Sequence, residues 1–181
     1  MNATELCAWL RALHPVPEPS VDRIVAGHPN TTVRGVAVLW MPTWPALRNA
    51  AAQELNIVVA HEPAFYTHHD LDGFDAAMAP LDPRARDAIT ATRDAKLRWI
   101  EENGLVIIRC HDVLDSMPGG VVDSLATALG FSAADYVTSV PHHRGVQLKS
   151  PAPAGEVARR LAASFRQIGQ PGVAMVAISM P

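Results

Sequence analysis

Two short stretches gather the side chains best suited to chemistry. In NIVVAHEPAFYTHHD, residues 56–70, an apolar run ends in His61 and Glu62, with His68, His69 and Asp70 close behind. In LVIIRCHDVLDSMPGG, residues 105–120, a similar run ends in His111 and Asp112, with Asp115 shortly after. Imidazoles and carboxylates crowded at the end of a buried strand call for a partner, which is a metal, a substrate or simply water. Mixed His and Asp/Glu sets suit zinc, manganese, iron or nickel rather than calcium, because imidazole is a borderline ligand and no thiolate competes. Two such metals close together would activate water for attack on a phosphate or a ring carbon. The competing reading is a set of strand-end residues that are merely solvated.

For the two ends to meet, both apolar runs must be neighbouring strands of one sheet. NIVVA and LVIIRC are almost wholly apolar, as strands covered on two faces must be. VRGVAVLWMP, residues 33–42, reads as another buried strand. TWPALRNAAAQEL, residues 43–55, reads as a helix with Thr43 at the N-cap and Pro45 in the first turn. DPRARDAITATRDAKLRWIEENG, residues 82–104, predicts the longest helix, capped by Asp82 and ended by Gly104. Strand, helix and strand at this spacing make crossover units with parallel pairing. Neighbouring strand ends then lie about 5 to 10 Å apart, on the edge where open α/β sheets collect ligands.

The remaining chain is less informative. Residues 3–13 predict a helix carrying Leu6, Leu10 and Leu13 on one face, stopped by HPVPEP, and an irregular segment follows. VVDSLATALG predicts a short helix with Val122, Leu125 and Leu129 inward, closing at Gly130. RGVQLK then reads as a strand, residues 154–168 as a helix presenting Val157, Leu161, Phe165 and Ile168, and residues 173–178 as a last strand. The order predicts an α/β layered sandwich with a largely parallel or mixed sheet flanked by helices. It divides into a metal-site α/β domain at 1–140 and a truncated start of a further α/β segment at 141–181.

Composition narrows the class of partner. The chain has 181 residues, 49% of them hydrophobic and 18% charged, with a formal charge of -3. That length buries one sizeable core, and that charge offers no basic stripe for nucleic acid. No apolar run approaches the roughly 20 residues that cross a bilayer, and the N-terminus lacks signal-peptide order, so a cytoplasmic location is expected. Cys7 and Cys110 show neither zinc-knuckle nor disulfide-framework spacing and read as buried thiols. His142 and His143 follow a proline in a turn-like stretch and read as surface residues, and His68 and His69 as a polar loop that could fold back over the site. Trp9, Trp40, Trp44 and Trp99 read as packing residues.

At these residues the chain resembles the NGG-one-interacting-factor-three family, the dinuclear metal-centre hexameric proteins also called GTP cyclohydrolase type 2 homologues. VVAHEPAFY is similar to the family's strand followed by His-His-Pro, and HDVLDSMPGGVVDSLATALGF to its His-Thr-Asn-Leu-Asp, Pro-Gly-Gly and Asn-Asp-x-Leu-Ala pattern. Asp22 followed by Gly27 faintly echoes a further segment, and the likeness covers roughly residues 1–131. By this resemblance His61 and Asp115 are metal ligands and His111 lines the site as its catalytic, proton-exchanging histidine. Glu62 stands where the family has a second histidine and is expected to coordinate in its place, as in a subgroup with His-Glu-Pro followed by Phe-Tyr-x-His, which also brings His68 into view. The C-terminal His-x-x-x-Glu motif of the family has no counterpart after His143, which favours a chain cut before those ligands.

The resemblance implies a homo-oligomer, a hexamer in the family, holding one or two divalent transition metals per subunit. The expected activity is metal-dependent hydrolase or cyclohydrolase chemistry on a nucleotide-like or phosphorylated small molecule. A metal-binding scaffold or regulatory protein without turnover is the alternative.

Overall fold

The computed structural model describes residues 1–140 and 143–167. The chain forms two compact units, Met1–Met117 and Pro118–Pro181. The first contains α1 (Ala3–Arg11), β1 (Arg23–Ala26), β2 (Val36–Leu39), α2 (Trp44–Ala52), β3 (Ile57–Ala60), α3 (Phe74–Met78), α4 (Pro83–Glu102), β4 (Val106–Arg109) and α5 (Asp112–Ser116). Its four strands make one mixed sheet in the order β1-β4-β3-β2. The expected α/β class with a mixed sheet is therefore the observed one.

The central pair follows directly from sequence. Every residue of β3 and β4 is buried, and the two run parallel with Ile57 opposite Val106 and Ala60 opposite Arg109. Side chains alternate across a strand, so the two faces build two cores. On one face Val58, Ala60 and Ile107 pack with Leu47 and Ala50 of α2 and Ile100 of α4. On the other Ile57, Val59, Val106 and Ile108 pack with Ala3, Leu6 and Cys7 of α1 and with Val113 of α5. Burying each such Val, Leu or Ile side chain contributes roughly 1.5–3 kcal/mol relative to leaving it exposed.

The helices form where local chemistry favours them. In α1, Asn2 and Glu5 cap each other's backbone N–H groups reciprocally at 2.9 Å. Asp82 accepts from the Ala85 N–H at 3.1 Å to start α4, and Gly104 follows its end at φ +62°, a conformation in which a Cβ is strained. Thr43 occupies the N-cap position of α2 with extended backbone, but its side chain makes no capping bond. No helix among the described residues is long and apolar enough to cross a membrane.

Several elements differ from the sequence reading. The segment read as irregular contains β1, which pairs antiparallel with β4, Arg23 opposite Arg109. Its mixed, half-buried side chains hide it from a search for apolar runs. The strand read across 33–42 as buried is the short edge strand β2, whose Val36 and Val38 are 40% and 79% exposed. Helix α3 and helix α5 fall in stretches to which the sequence reading assigned no helix or strand. Gly27, at φ +87°, lies so close to β4 that an added Cβ would collide with the Leu105 carbonyl oxygen.

The second unit contains α6 (Val121–Ala128), a 3-10 turn at Ala133–Asp135, β5 (Tyr136–Val140), β6 (His143–Val146) and α7 (Ala154–Gln167). Strands β5 and β6 pair antiparallel. Asp123 accepts hydrogen bonds from the Gly119 N–H, the Tyr136 hydroxyl and Arg144 Nε. The Gly119 N–H, helped by Tyr136 and Arg144, holds the Asp123 carboxyl below the usual carboxylate range. Val122, Leu125, Leu129, Val157 and Leu161 line an apolar cavity of about 350 Å³, although Leu125 is 43% exposed. His143 is exposed, as expected. The strand read at 173–178, Ile168 and His142 lie outside the described residues.

One polar side chain fixes how the sheet begins. Asn56, buried just before β3, accepts from the Arg34 and Gly35 N–H groups at 2.9 and 3.3 Å and donates to the Thr32 carbonyl at 2.8 Å. Asn56→Ala leaves three backbone groups of the β2 approach unpaired, and we expect a loss of about 2–4 kcal/mol by denaturant unfolding.

Candidate metal centre

The parallel ladder continues past the strands. His61 N–H donates to Leu39 O at 3.2 Å, Glu62 N–H to Trp40 O at 2.8 Å and Cys110 N–H to Ala60 O at 2.9 Å. The chain segments carrying His61 and His111 therefore leave the sheet side by side from its carboxyl edge.

Each segment is then held by a buried side chain acting on backbone. Asp22, just before β1, accepts from the N–H groups of His111 and Asp112 with one carboxylate oxygen and of Val113 with the other. It thereby satisfies three of the orphan donors at the start of α5. After β3, Arg109 reaches across from β4. Its Nε donates to the His61 carbonyl at 3.2 Å, and its guanidinium also donates to the His68 carbonyl and meets Asp70 Oδ2 at 3.3 Å. Asp70 in turn accepts from the Ala64 and Phe65 N–H groups at 2.6 and 3.2 Å. Tyr66 and Asp70 take left-handed backbone conformations, φ +66° and +57°, which non-glycine residues adopt at a cost that the surrounding contacts must offset. Burial raises the Asp70 carboxyl above its usual range, although the Ala64 N–H and Arg109 both oppose that rise.

Within this frame three side chains converge. His61 Nε2 lies 2.9 Å from Asp115 Oδ1, and His111 Nδ1 lies 3.7 Å from Asp115 Oδ2. One ligand atom from each of His61, His111 and Asp115 falls within 4.8 Å of the others. Ligands on one zinc-like ion stand roughly 3 to 4 Å apart at metal–ligand distances near 2.0–2.2 Å, so this donor set fits a single divalent transition metal with small adjustments. Imidazole with carboxylate is also the chemistry expected for such an ion.

The neighbours of the triad are polar and aromatic. Asp112 Oδ1 lies 3.0 Å from His111 Nδ1, while its other oxygen accepts from the Ser20 hydroxyl and the Val21 N–H at 2.8 and 3.0 Å. Burial alone would raise Asp112, but the bonds from Val21, Ser20 and His111 together hold it below the usual carboxylate range. Glu62 stands outside the triad, its Oε1 3.9 Å from His61 Nδ1. The exposed His68 ring does fold back, its centroid 5.8 Å from that of His111. Burial, reinforced by the Arg109, His69 and His111 charges, lowers the His68 imidazole from its usual pKa. Cys110, the last residue before His111, is pushed up to about 12 by burial, and both cysteines are free and buried.

Sequence reasoning singled out His61, His111 and Asp115, which the structure brings together, and missed their supports. Arg109 and Asp70 carry no motif, Trp40 reads as packing, and only Asp22 left a faint trace. A cavity of about 440 Å³ lined by Arg34, Gln53, Asn56 and Leu105 lies at the opposite ends of the strands and does not reach these residues.

Two outcomes follow for the supporting residues. Asp22→Ala strands three N–H donors and is expected to cost about 3 kcal/mol or more by denaturant unfolding, with Asp22→Asn losing less because one acceptor oxygen remains. The second concerns the buried Lys96 of α4, which donates to Ala64 O at 2.7 Å and whose ammonium burial pushes down to about 8, against the opposing pull of Asp70. Above pH 8 the folded Lys96 loses its proton while the unfolded one keeps it to about 10.4, so the unfolded state binds more protons and folding gains with rising pH. The stability of the native chain relative to Lys96→Met should therefore rise between pH 8 and about 10.4 and be flat below, as measured by urea unfolding at each pH.

No protein-family model matches the sequence, and neither does any curated protein. Solved structures do match. A Bacillus cereus protein related to NIF3, the factor named in the family resemblance, is 23% identical and superposes over 74% of this chain and 34% of its own, with a TM-score of 0.54. The protein ybgI, of unknown function, is 19% identical over 92% of this chain and 61% of its own, with a TM-score of 0.61. TTHA1606 from Thermus thermophilus is 22% identical over 90% and 61%, with a TM-score of 0.53. This chain thus spans between about a third and three-fifths of the length of these structures. Its fold is that of the NIF3-related proteins.

Proposed function

We propose that this chain is a metal-binding member of the NIF3-related group whose centre is built from His61, His111 and Asp115, with Glu62 as the further ligand that the family resemblance suggests. The observation that carries this reading is the convergence of two imidazoles and a carboxylate within 4.8 Å at the carboxyl edge of a mixed sheet. Zinc, manganese, iron and nickel all fit such donors, and a second ion per subunit and a homo-oligomeric, hexameric assembly belong to the same reading by resemblance.

The activity we infer is metal-dependent hydrolysis, or a cyclohydrolase-like reaction, on a nucleotide-like or phosphorylated small molecule. A bound divalent ion would supply Lewis acidity there. In the hydrolase reading His111, whose Nδ1 lies 3.0 Å from Asp112, either ligates the ion or exchanges a proton with the bound water, and the Asp112 carboxylate orients its ring for either role. A scaffold that binds metal without turnover shares all of this geometry.

Elemental analysis of the purified chain, native and His61→Ala/Asp115→Ala, tests the centre. We expect one or two equivalents of a transition metal in the native chain and none in the variant. A native chain that stays metal-free after zinc or manganese loading overturns the reading. Release of phosphate or ring-opened product from a nucleotide panel by the loaded native chain, lost in the variant, separates hydrolase from scaffold.

A further inference from the structure

The ring of His61 is held in an uncommon way. A histidine that ligates metal through one ring nitrogen usually donates the other N–H to a carboxylate or carbonyl, which sets the ring's orientation. In this chain Nε2 faces Asp115 at 2.9 Å, while Nδ1 is buried and has no hydrogen-bond partner among the described residues. The Glu62 carboxylate, at 3.9 Å, is beyond hydrogen-bond reach of it.

Aromatic packing occupies the place of that bond. The Trp40 indole stacks on the His61 imidazole with centroids 4.2 Å apart and planes within 10°, and the His111 ring lies 4.3 Å from the same imidazole at 32°. Trp40 is 57% exposed, so core packing does not explain why an indole stands there. Its backbone is nonetheless fixed, because the Trp40 carbonyl accepts the Glu62 N–H at 2.8 Å where the β2–β3 ladder continues. A parallel aromatic stack is comparable in strength with a net hydrogen bond, and unlike dispersion from an aliphatic chain it constrains the plane of the ring.

We propose that Trp40 is a positioning residue of the metal centre, its indole setting the plane of His61 so that Nε2 stays aimed at the space shared with His111 and Asp115. This rests on the metal reading above. Its test is calorimetric titration of zinc into the metal-free native chain, Trp40→Phe and Trp40→Leu, with the thermal midpoint of each metal-free chain measured alongside. Trp40→Leu, which covers His61 without stacking on it, should weaken zinc binding about tenfold, the loss typical of a ligand-orienting partner. Trp40→Phe should stay within about threefold of native because a ring is retained. The metal-free midpoints should agree, since Trp40 lies outside both cores. Native zinc affinity in Trp40→Leu overturns the proposal, as does an equal loss in the two variants. A native chain that takes up no zinc fails the metal reading and this proposal together, and is recognised by its own flat titration.

Discussion

The parallel register of β3 and β4, which sets Ala60 opposite Arg109, is the constraint from which the rest of the first unit follows. It makes two apolar strands end at the same level, so the residues that come next emerge as neighbours. It is stable because both strands are buried on both faces, against α2 and α4 on one side and α1 and α5 on the other. Moving either strand by one residue would exchange its two faces and break both cores at once. The position of His61 relative to His111 is thus enforced by hydrophobic packing well away from either ring.

Packing sets the height of the strand ends but not the direction of the side chains beyond them. That second task falls to polar groups buried nearby, and the carboxylates divide it. Asp22 and Asp70 use their oxygens on backbone N–H groups and so shape the two segments. Asp112 is occupied with Ser20, Val21 and His111. Asp115 faces both imidazoles instead, the geometry from which a metal centre is inferred. Arg109 joins the segments, since one buried guanidinium meets the His61 and His68 carbonyls and the Asp70 carboxylate. An isolated buried charge would be prohibitive, and this one is tolerated because its neighbours hydrogen-bond it.

The aromatic neighbours add a third level of control. Trp40 and His111 both lie within stacking distance of His61, and the ring that ends β3 is therefore confined without a hydrogen bond to its second nitrogen. Such a site is set by shape on one side and by charge on the other. Its donor set is compact, and His68, whose ring lies 5.8 Å from that of His111, is exposed.

Much of this was legible in the residues themselves. Continuous apolar runs such as IVVA and LVII identify doubly covered strands, because only burial on both faces tolerates them, and the Asp82 cap and Gly104 stop bound α4 through chemistry local to a few residues. His61 and His111 were visible because they come just after those runs, and Asp115, a few residues further on, through the family resemblance. What sequence could not reveal depends on partners distant in the chain. Strand β1 is stabilised by pairing with β4 rather than by its own pattern, and β2 looks central until the sheet order makes it an edge. Asp22, Asp70 and Arg109 matter only through backbone groups that folding brings to them. Trp40 reads as packing from sequence, and only the tertiary structure lays it flat against His61. Local propensity and periodicity thus determined the central strands, and residue type together with the family resemblance pointed to the candidate ligands. Long-range contacts, which no short window of sequence contains, decided the strand order, the supports and the orientation of the rings.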